Sequence, residues 1–242
     1  MKKHFLNVSA IVIKDHPISE MSFEGLLYSF NNVGNECFNE IVRFDAITPM
    51  TVKQTFEKYD IKWNWPLEKH EMDEQTGIKK HPYKTRNHDV KKACALSHYS
   101  LWKQCADSNQ PLLILEHDAI WVQKLDDDHL KELLDSPKQI IGINSPRHAT
   151  RKWQKFADIV QSNKNNIQSV PRIDDPKIAQ GLAGASAYLM KPEGARQVIN
   201  KVNEVGLWHN DALLCYQLFD DILGVTKTWY TIRNFDVPST TT

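Results

Sequence analysis

No run of apolar residues in this 242-residue sequence approaches the ~18 that a membrane-spanning helix needs. A soluble chain is expected, with peripheral membrane contact left open. Net charge is missing as well. The 30 Lys and Arg are balanced by 30 Asp and Glu, so no global field draws in nucleic acid or an anionic surface, and an anionic ligand must be held by a local cluster. Cysteines are few and scattered, at Cys37, Cys94, Cys105 and Cys215. With no Cys-x-x-Cys pair and no disulfide-dense spacing, they are expected to be reduced and mostly buried, as in a cytosolic protein, and a structural zinc site is not expected. There is no internal repeat, and no low complexity beyond Ser239 and the threonines after it. The basic pair Lys2-Lys3 precedes only a short apolar run, Val8 to Ile13, broken by Ser9. That run reads as a first strand and not as a signal peptide.

What is present is a globular composition, 41% hydrophobic and 25% charged with seven Trp, seven Tyr and nine Phe, enough to build a core. Strands are expected at Val8 to Ile13, Ile41 to Phe44, Leu112 onward, Ile140 to Ile143, Ala185 to Met190 and Gly224 to Ile232. Helices are expected at Phe23 to Phe30, Asp89 to Ala106, His129 to Leu134, from Pro192, and from His209 through Leu218. In the second of these, Val90, Cys94, Ser97, Leu101 and Cys105 fall on one stripe, which turns Ser97 to the core. Strands alternating with helices, the central ones continuous apolar runs, predict an α/β fold with a mostly parallel central sheet flanked by helices. Between about Trp63 and His88 no period holds, and this stretch reads as a loop or lid excursion.

The stretch LLILEHDAIW, Leu112 to Trp121, interrupts an apolar strand with Glu116-His117-Asp118. Ligands of open α/β sheets bind outside the carboxyl ends of the strands. In a strand, residues two apart point the same way, about 6.6 Å apart, so Glu116 and Asp118 could converge on one cation while His117 points elsewhere. Such oxygen ligands suit magnesium or manganese. The plain alternative is an acid that ends a strand at the surface.

Taken in order, ACALSHYSLWKQCADSNQPLLILEHDAIW, GLAGASAYLMKPEGARQVI and HNDALL resemble the family 25 glycosyltransferases, which include lipooligosaccharide and procollagen galactosyltransferases. Ser97-His98, Glu116-His117-Asp118, Tyr188 and Gly194-Ala195 stand where that family has a Ser-His helix, a Glu-Asp-Asp strand end, a strand tyrosine and a Gly-Ala helix. The segment VRFDAITP, Val42 to Pro49, is similar to the family's stretch after the second strand. His117 departs from the family's middle Asp, and no His follows His209 to act as a further metal ligand.

The resemblance implies a GT-A-like, Rossmann-type fold, with residues 1–242 as a single glycosyltransferase domain. It implies transfer of a hexose, galactose or glucose, from a UDP-sugar to a hydroxyl of a glycan or other acceptor, inverting and metal-dependent, as in lipopolysaccharide biosynthesis. Asp118 and Glu116 would hold Mn2+ or Mg2+. Glu116, Ser97, His98, Gly181 and Gly184 would lie on the donor side, and Asp211 would be the general base. Plain readings stand beside these: Asp211 as a helix cap, Gly181 and Gly184 as a turn, Ser97 and His98 as core groups that cannot pair as nucleophile and base because helix neighbours do not face each other. Lys79, Lys80, His81, Lys84 and Arg86 could hold a diphosphate or form a solvated face, and Trp63 and Trp65 could stack a sugar or anchor the excursion. The run from Asp126 to Asp128 is explained by a helix start. A catalytically degenerate sugar- or nucleotide-binding protein is the alternative function, and a metal-dependent phosphohydrolase a third.

Overall fold

The computed structural model describes residues 6–238 and residue 240. The readings made on Lys2-Lys3 and on Ser239 lie outside the described residues. A seven-stranded sheet is built from β1 (Leu6–Val12), β2 (Phe38–Asp45), β5 (Leu112–Glu116), β7 (Ile140–Gly142), β8 (Ile167–Ser169), β9 (Ala187–Met190) and β10 (Leu223–Thr226), in the order β2-β1-β5-β9-β7-β10-β8. Five strands run parallel; β9 in the middle and β8 at one edge are antiparallel. The mostly parallel sheet follows from apolar strands that bury both faces. Leu113 and Leu115 face one core with Val8, Ile141 and Leu189, whereas Ile114 faces the other with Tyr188 and Met190.

Helices α1 (Pro17–Asn32) and α4 (Asp127–Asp135) belong to the first layer. Helices α3 (His88–Ser108) and α6 (Pro192–Val205) pack on each other in the second. Asn87 caps α3 by accepting from Asp89 N at 3.0 Å, and Asp126 caps α4 by accepting from His129 N at 2.9 Å, as helix starts favour. The buried part of α3 is wider than one stripe: Ala95, Leu96, His98, Tyr99 and Trp102 are enclosed with Ser97 and Leu101. No helix of the described residues is long and apolar enough to cross a membrane.

Several expectations change. Helices α2 (Val52–Tyr59) and α5 (Trp153–Ser162) and strand β8 stand where no element was expected. β8 turns Gln168 inward and so shows no clean apolar period, whereas α2 packs Val52, Phe56 and Tyr59 on the core beside Thr55. LLILEHDAIW is not one strand. It ends at Glu116, turns through His117-Asp118, and resumes as β6 (Ala119–Trp121), which pairs with β11 (Thr231–Arg233) in a separate ribbon. The expected strand from Gly224 to Ile232 divides likewise between β10 and β11. The helix from His209 breaks into α7 (Asn210–Leu213) and α8 (Tyr216–Phe219), because Cys215 turns extended to bridge Gly181 and Tyr216 N donates to Gln180 O at 2.9 Å.

The excursion carries a small hairpin, β3 (Glu71–Met72) with β4 (Lys79–Lys80). It is docked on the body: Trp65 Nε1 donates to His81 O, Trp63 bridges Leu207, and Lys80, 1% exposed, pairs with Asp73 at 2.5 Å. The Lys80 ammonium also donates to Asn64 O at 2.8 Å and sits 4.1 Å from the Trp208 ring.

Candidate active site

The carboxyl ends of β1, β2, β5 and β7 meet at one sheet edge, and antiparallel β9 brings its amino end to the same edge. The chain leaving each of the four parallel strands and the chain entering β9 therefore line one cleft of about 270 Å³: Ile13, Ala46 to Pro49, Glu116 to Asp118, Asn144, and Gly184 to Ser186. Asp211, from the bend between α6 and α8, enters from the α3 side with Val90, Lys91 and Cys94. This is where open α/β sheets place ligands.

Three carboxylates share the cleft. Glu116 Oε1 lies 3.1 Å from His98 Nε2, and Oε2 accepts from Ser186 Oγ at 3.2 Å. Burial pushes this carboxyl up, but His98, His117 and the Ser186 bond outweigh it and hold Glu116 below the usual carboxylate range. Asp118 Oδ2 accepts from Arg233 Nε at 3.0 Å, while Oδ1 is buried and has no hydrogen-bond partner among the described residues. Burial, then the Glu116 charge, raises Asp118. Asp211 meets solvent within the cleft and takes a hydrogen bond from the Ala185 backbone. The cleft walls, then Glu116, raise its carboxyl as well. One carboxylate is thus held ionised while two are pushed toward the neutral acid, the state that a bound cation relieves. The orphaned Asp118 oxygen, beside Glu116 in an all-oxygen pair, fits a small divalent cation. A second group, Cys94, His98 and Glu116, has ligand atoms within 4.8 Å of one another, although burial holds the Cys94 thiol well above its usual value.

Of the other expected residues, Ser97 and His98 lie fully buried under the cleft floor. Ser97 Oγ accepts from Ile47 N at 2.9 Å and donates to Ala93 O, which ties the turn after β2 to α3. His98 Nδ1 lies 2.8 Å from the Tyr188 hydroxyl, which accepts from Trp102 Nε1 at 2.7 Å. Gly184, at φ +112, lines the cleft; Gly181 packs so tightly on the 211–215 bend that a Cβ there would stand 2.3 Å from Leu214 O. His117 does not point elsewhere. The strand has ended at Glu116, so alternation no longer applies, and His117 lines the same cleft.

Residues that the sequence reading passed over include Arg233 on Asp118, Ser186 on Glu116, and Arg147 and His148 at the rim. Arg233 is 115 positions from its partner, and no local pattern links the two. The Asp126 to Asp128 run does what a helix start explains, with Asp126 as the cap.

His209 lines the cleft within an aromatic enclosure, its ring 4.1 Å from Tyr83, 4.9 Å from Trp63 and 5.6 Å from Trp65. Burial, with the nearby charges of Lys91 and His88, pushes it down to about 3. The unfolded chain takes up a proton near pH 6.5 that the folded one refuses. This contribution is intact above pH 6.5 and is lost as pH falls toward 3. His209→Gln is expected to lose less stability on acidification, by about 2 kcal/mol between pH 7 and pH 5. Urea titrations of both proteins at the two pH values check it, and parallel losses would contradict the assignment.

A sequence model of glycosyltransferase family 25, described as an LPS biosynthesis protein, matches residues 31–214. No curated relative matches significantly. Among solved structures, mouse xyloside xylosyltransferase 1 in its apo form aligns at 8% identity over 97% of this chain and 99% of its own, with TM-score 0.47. The galactosyltransferase LgtC, solved with donor and acceptor sugar analogs, aligns at 10% identity over 91% of this chain and 72% of its own, with TM-score 0.41. At TM-scores below 0.5 neither likeness carries an argument.

Proposed function

The chain belongs to glycosyltransferase family 25, and on that premise we propose that it moves a hexose, galactose or glucose, from a UDP-sugar to a hydroxyl of a glycan acceptor, with inversion. It is a glycosyltransferase; the donor, the stereochemistry and the cation are our reading of the cleft. The observation that carries it is the unpartnered, buried Oδ1 of Asp118 beside Glu116.

Asp118 and Glu116 would hold Mn2+ or Mg2+, which when bound supplies positive charge to the departing diphosphate. Arg233, already on Asp118 Oδ2, fixes that carboxylate at the cleft and leaves Oδ1 as the oxygen to be satisfied. On the donor side, Ser97 secures Ile47. Gly184 keeps the wall next to Asn144 and Ala149 low enough for a sugar or phosphate to approach, and Gly181 fixes the bend that carries Asp211. Asp211 would take the proton from the acceptor hydroxyl as it attacks the anomeric carbon, and a raised carboxyl suits a general base. The docked excursion, through Tyr83 and its contact with His209, would keep water from competing as acceptor.

The test is a melting-temperature shift with UDP, with and without manganese, for the wild type and Asp118→Ala. At a hundredfold excess over Kd a ligand of the folded state adds about 2.7 kcal/mol. A shift that needs both UDP and manganese and disappears in the variant is expected. A shift indifferent to manganese and to Asp118 would sink the metal-bridged donor site.

A further inference from the structure

We propose that Trp102, Tyr188 and His98 form a hydrogen-bond chain of fixed polarity whose work is to aim Glu116 at the cation, so that these three buried residues are positioning residues for the reaction. The inference rests on the assignment of Glu116 to the cation. Its basis is a donor count. An indole nitrogen only donates, so Trp102 Nε1, 2.7 Å from the Tyr188 hydroxyl, gives its proton to that oxygen. The hydroxyl then has one proton to give, and among the described residues its remaining neighbour within hydrogen-bond distance is His98 Nδ1 at 2.8 Å. Nδ1 therefore accepts. A neutral imidazole carries one N–H, which must be on Nε2, 3.1 Å from Glu116 Oε1.

The opposite polarity leaves a defect. If Nδ1 carried the proton, the Tyr188 oxygen would receive two donors and its own O–H would have no acceptor, inside a site where Trp102, Tyr188 and His98 are all 0% exposed. A buried unsatisfied donor is costly, so the polarity runs one way, from Trp102 to Glu116. Ser186 Oγ completes the hold by donating to Oε2. Both Glu116 oxygens are thus oriented by donors from the protein, each retaining capacity toward the cleft. Carboxylates that ligate metals are commonly held this way by an outer layer of partners.

The same polarity decides between the two cation groups. Cys94, His98 and Glu116 are close enough to share an ion, but a ring with its proton on Nε2 has no lone pair to offer there. The oxygen pair Glu116 and Asp118 remains.

The ring is read directly by long-range 1H–15N correlation on uniformly labelled protein without ligand, with His98→Gln identifying the signals. Protonated Nε2 with unprotonated Nδ1 is expected; the reverse tautomer overturns the proposal, whatever the enzyme's activity. The functional arm is manganese affinity by calorimetry with UDP present. Loss of such an outer partner typically lowers metal affinity ten- to a hundredfold, and this is expected for His98→Ala. His98→Gln, which keeps an N–H toward Glu116, should recover most of it. Tyr188→Phe, which removes one oxygen, should fall between if His98→Ala fails to fold. Cys94→Ser should leave the affinity close to the wild-type value. Unchanged affinity in a folded His98→Ala, or a large loss in Cys94→Ser, overturns the proposal. A wild type that binds no manganese would instead remove the cation reading, and the ring's tautomer would still decide the chain's polarity.

Discussion

Asp211→Asn is expected to lower kcat for glycosyl transfer by a factor of about 10² to 10⁴, the range a general base contributes, with little change in stability. The amide keeps the size of the side chain and can still accept from the Ala185 backbone, so the bend between α6 and α8 should hold. What disappears is the ability to take a proton from an acceptor hydroxyl. Because Asp211 is not one of the two carboxylates assigned to the cation, the manganese-dependent stabilisation by UDP should survive in this variant and vanish in Asp118→Ala. Steady-state kinetics beside melting curves separate the two roles. If Asp211→Asn retained more than a tenth of wild-type kcat, the acceptor proton would have to go elsewhere.

The largest expected loss of stability comes from Lys80→Met. Lys80 and Asp73 form an ion pair at 2.5 Å with side-chain exposures of 1% and 8%. Burial pushes the ammonium down and the carboxyl up, while each partner favours the charged form of the other. Asp73 is also held by Thr76, whose N and Oγ1 both donate to Oδ1 at 2.9 Å. Removing one member of such a pair strands the other charge, at a cost of about 3–5 kcal/mol. Replacing both, as Lys80→Met with Asp73→Leu, should recover much of that loss, since a well-packed apolar pair is often no worse than a buried salt bridge. Urea denaturation of the two single variants and the double one measures the coupling. A single-variant loss under about 1 kcal/mol would mean that water reaches the pair. Because the ammonium also lies on Trp208, next to His209, the variant should weaken the wall of the cleft as well.

The parts of the fold legible in the sequence were those whose burial is uniform. The strands at Leu112 and Ala187 announce themselves because nearly every residue is enclosed, and the long helix α3 through its stripe of Val90, Cys94, Ser97, Leu101 and Cys105. Strand β8 was hidden because it is only three residues long and turns Gln168 inward, and in so short a segment one polar inward residue erases the period that pattern reading needs. The break at Cys215 was hidden for another reason. It follows from a distant pairing with Gly181, and tertiary pairing overrides local helical spacing.

At the cleft the acids were legible and their partners were not. Glu116 and Asp118 stand out as charges inside an apolar run, whereas Ser186 and Arg233 reach them from 70 and 115 positions away. Alternation carried through to Asp118 turns His117 away from the cleft, but the strand ends two residues earlier, at Glu116. The family likeness supplied what pattern could not, an ordered set of motifs whose match covers residues 31–214.

Strand β9 joins the two halves of the sheet, since β5 and β7 each pair with it and not with each other. During synthesis at ~5–20 residues per second, Leu112–Glu116 and Ile140–Gly142 are made before the Ala187–Met190 segment that must lie between them. For several seconds the nascent chain presents Leu112 to Leu115, an apolar strand with one hydrogen-bonding edge unmatched, which is the kind of segment that recruits other chains. The strand that carries Tyr188 to the site is therefore also the one whose late arrival sets how long the half-made protein is exposed to aggregation.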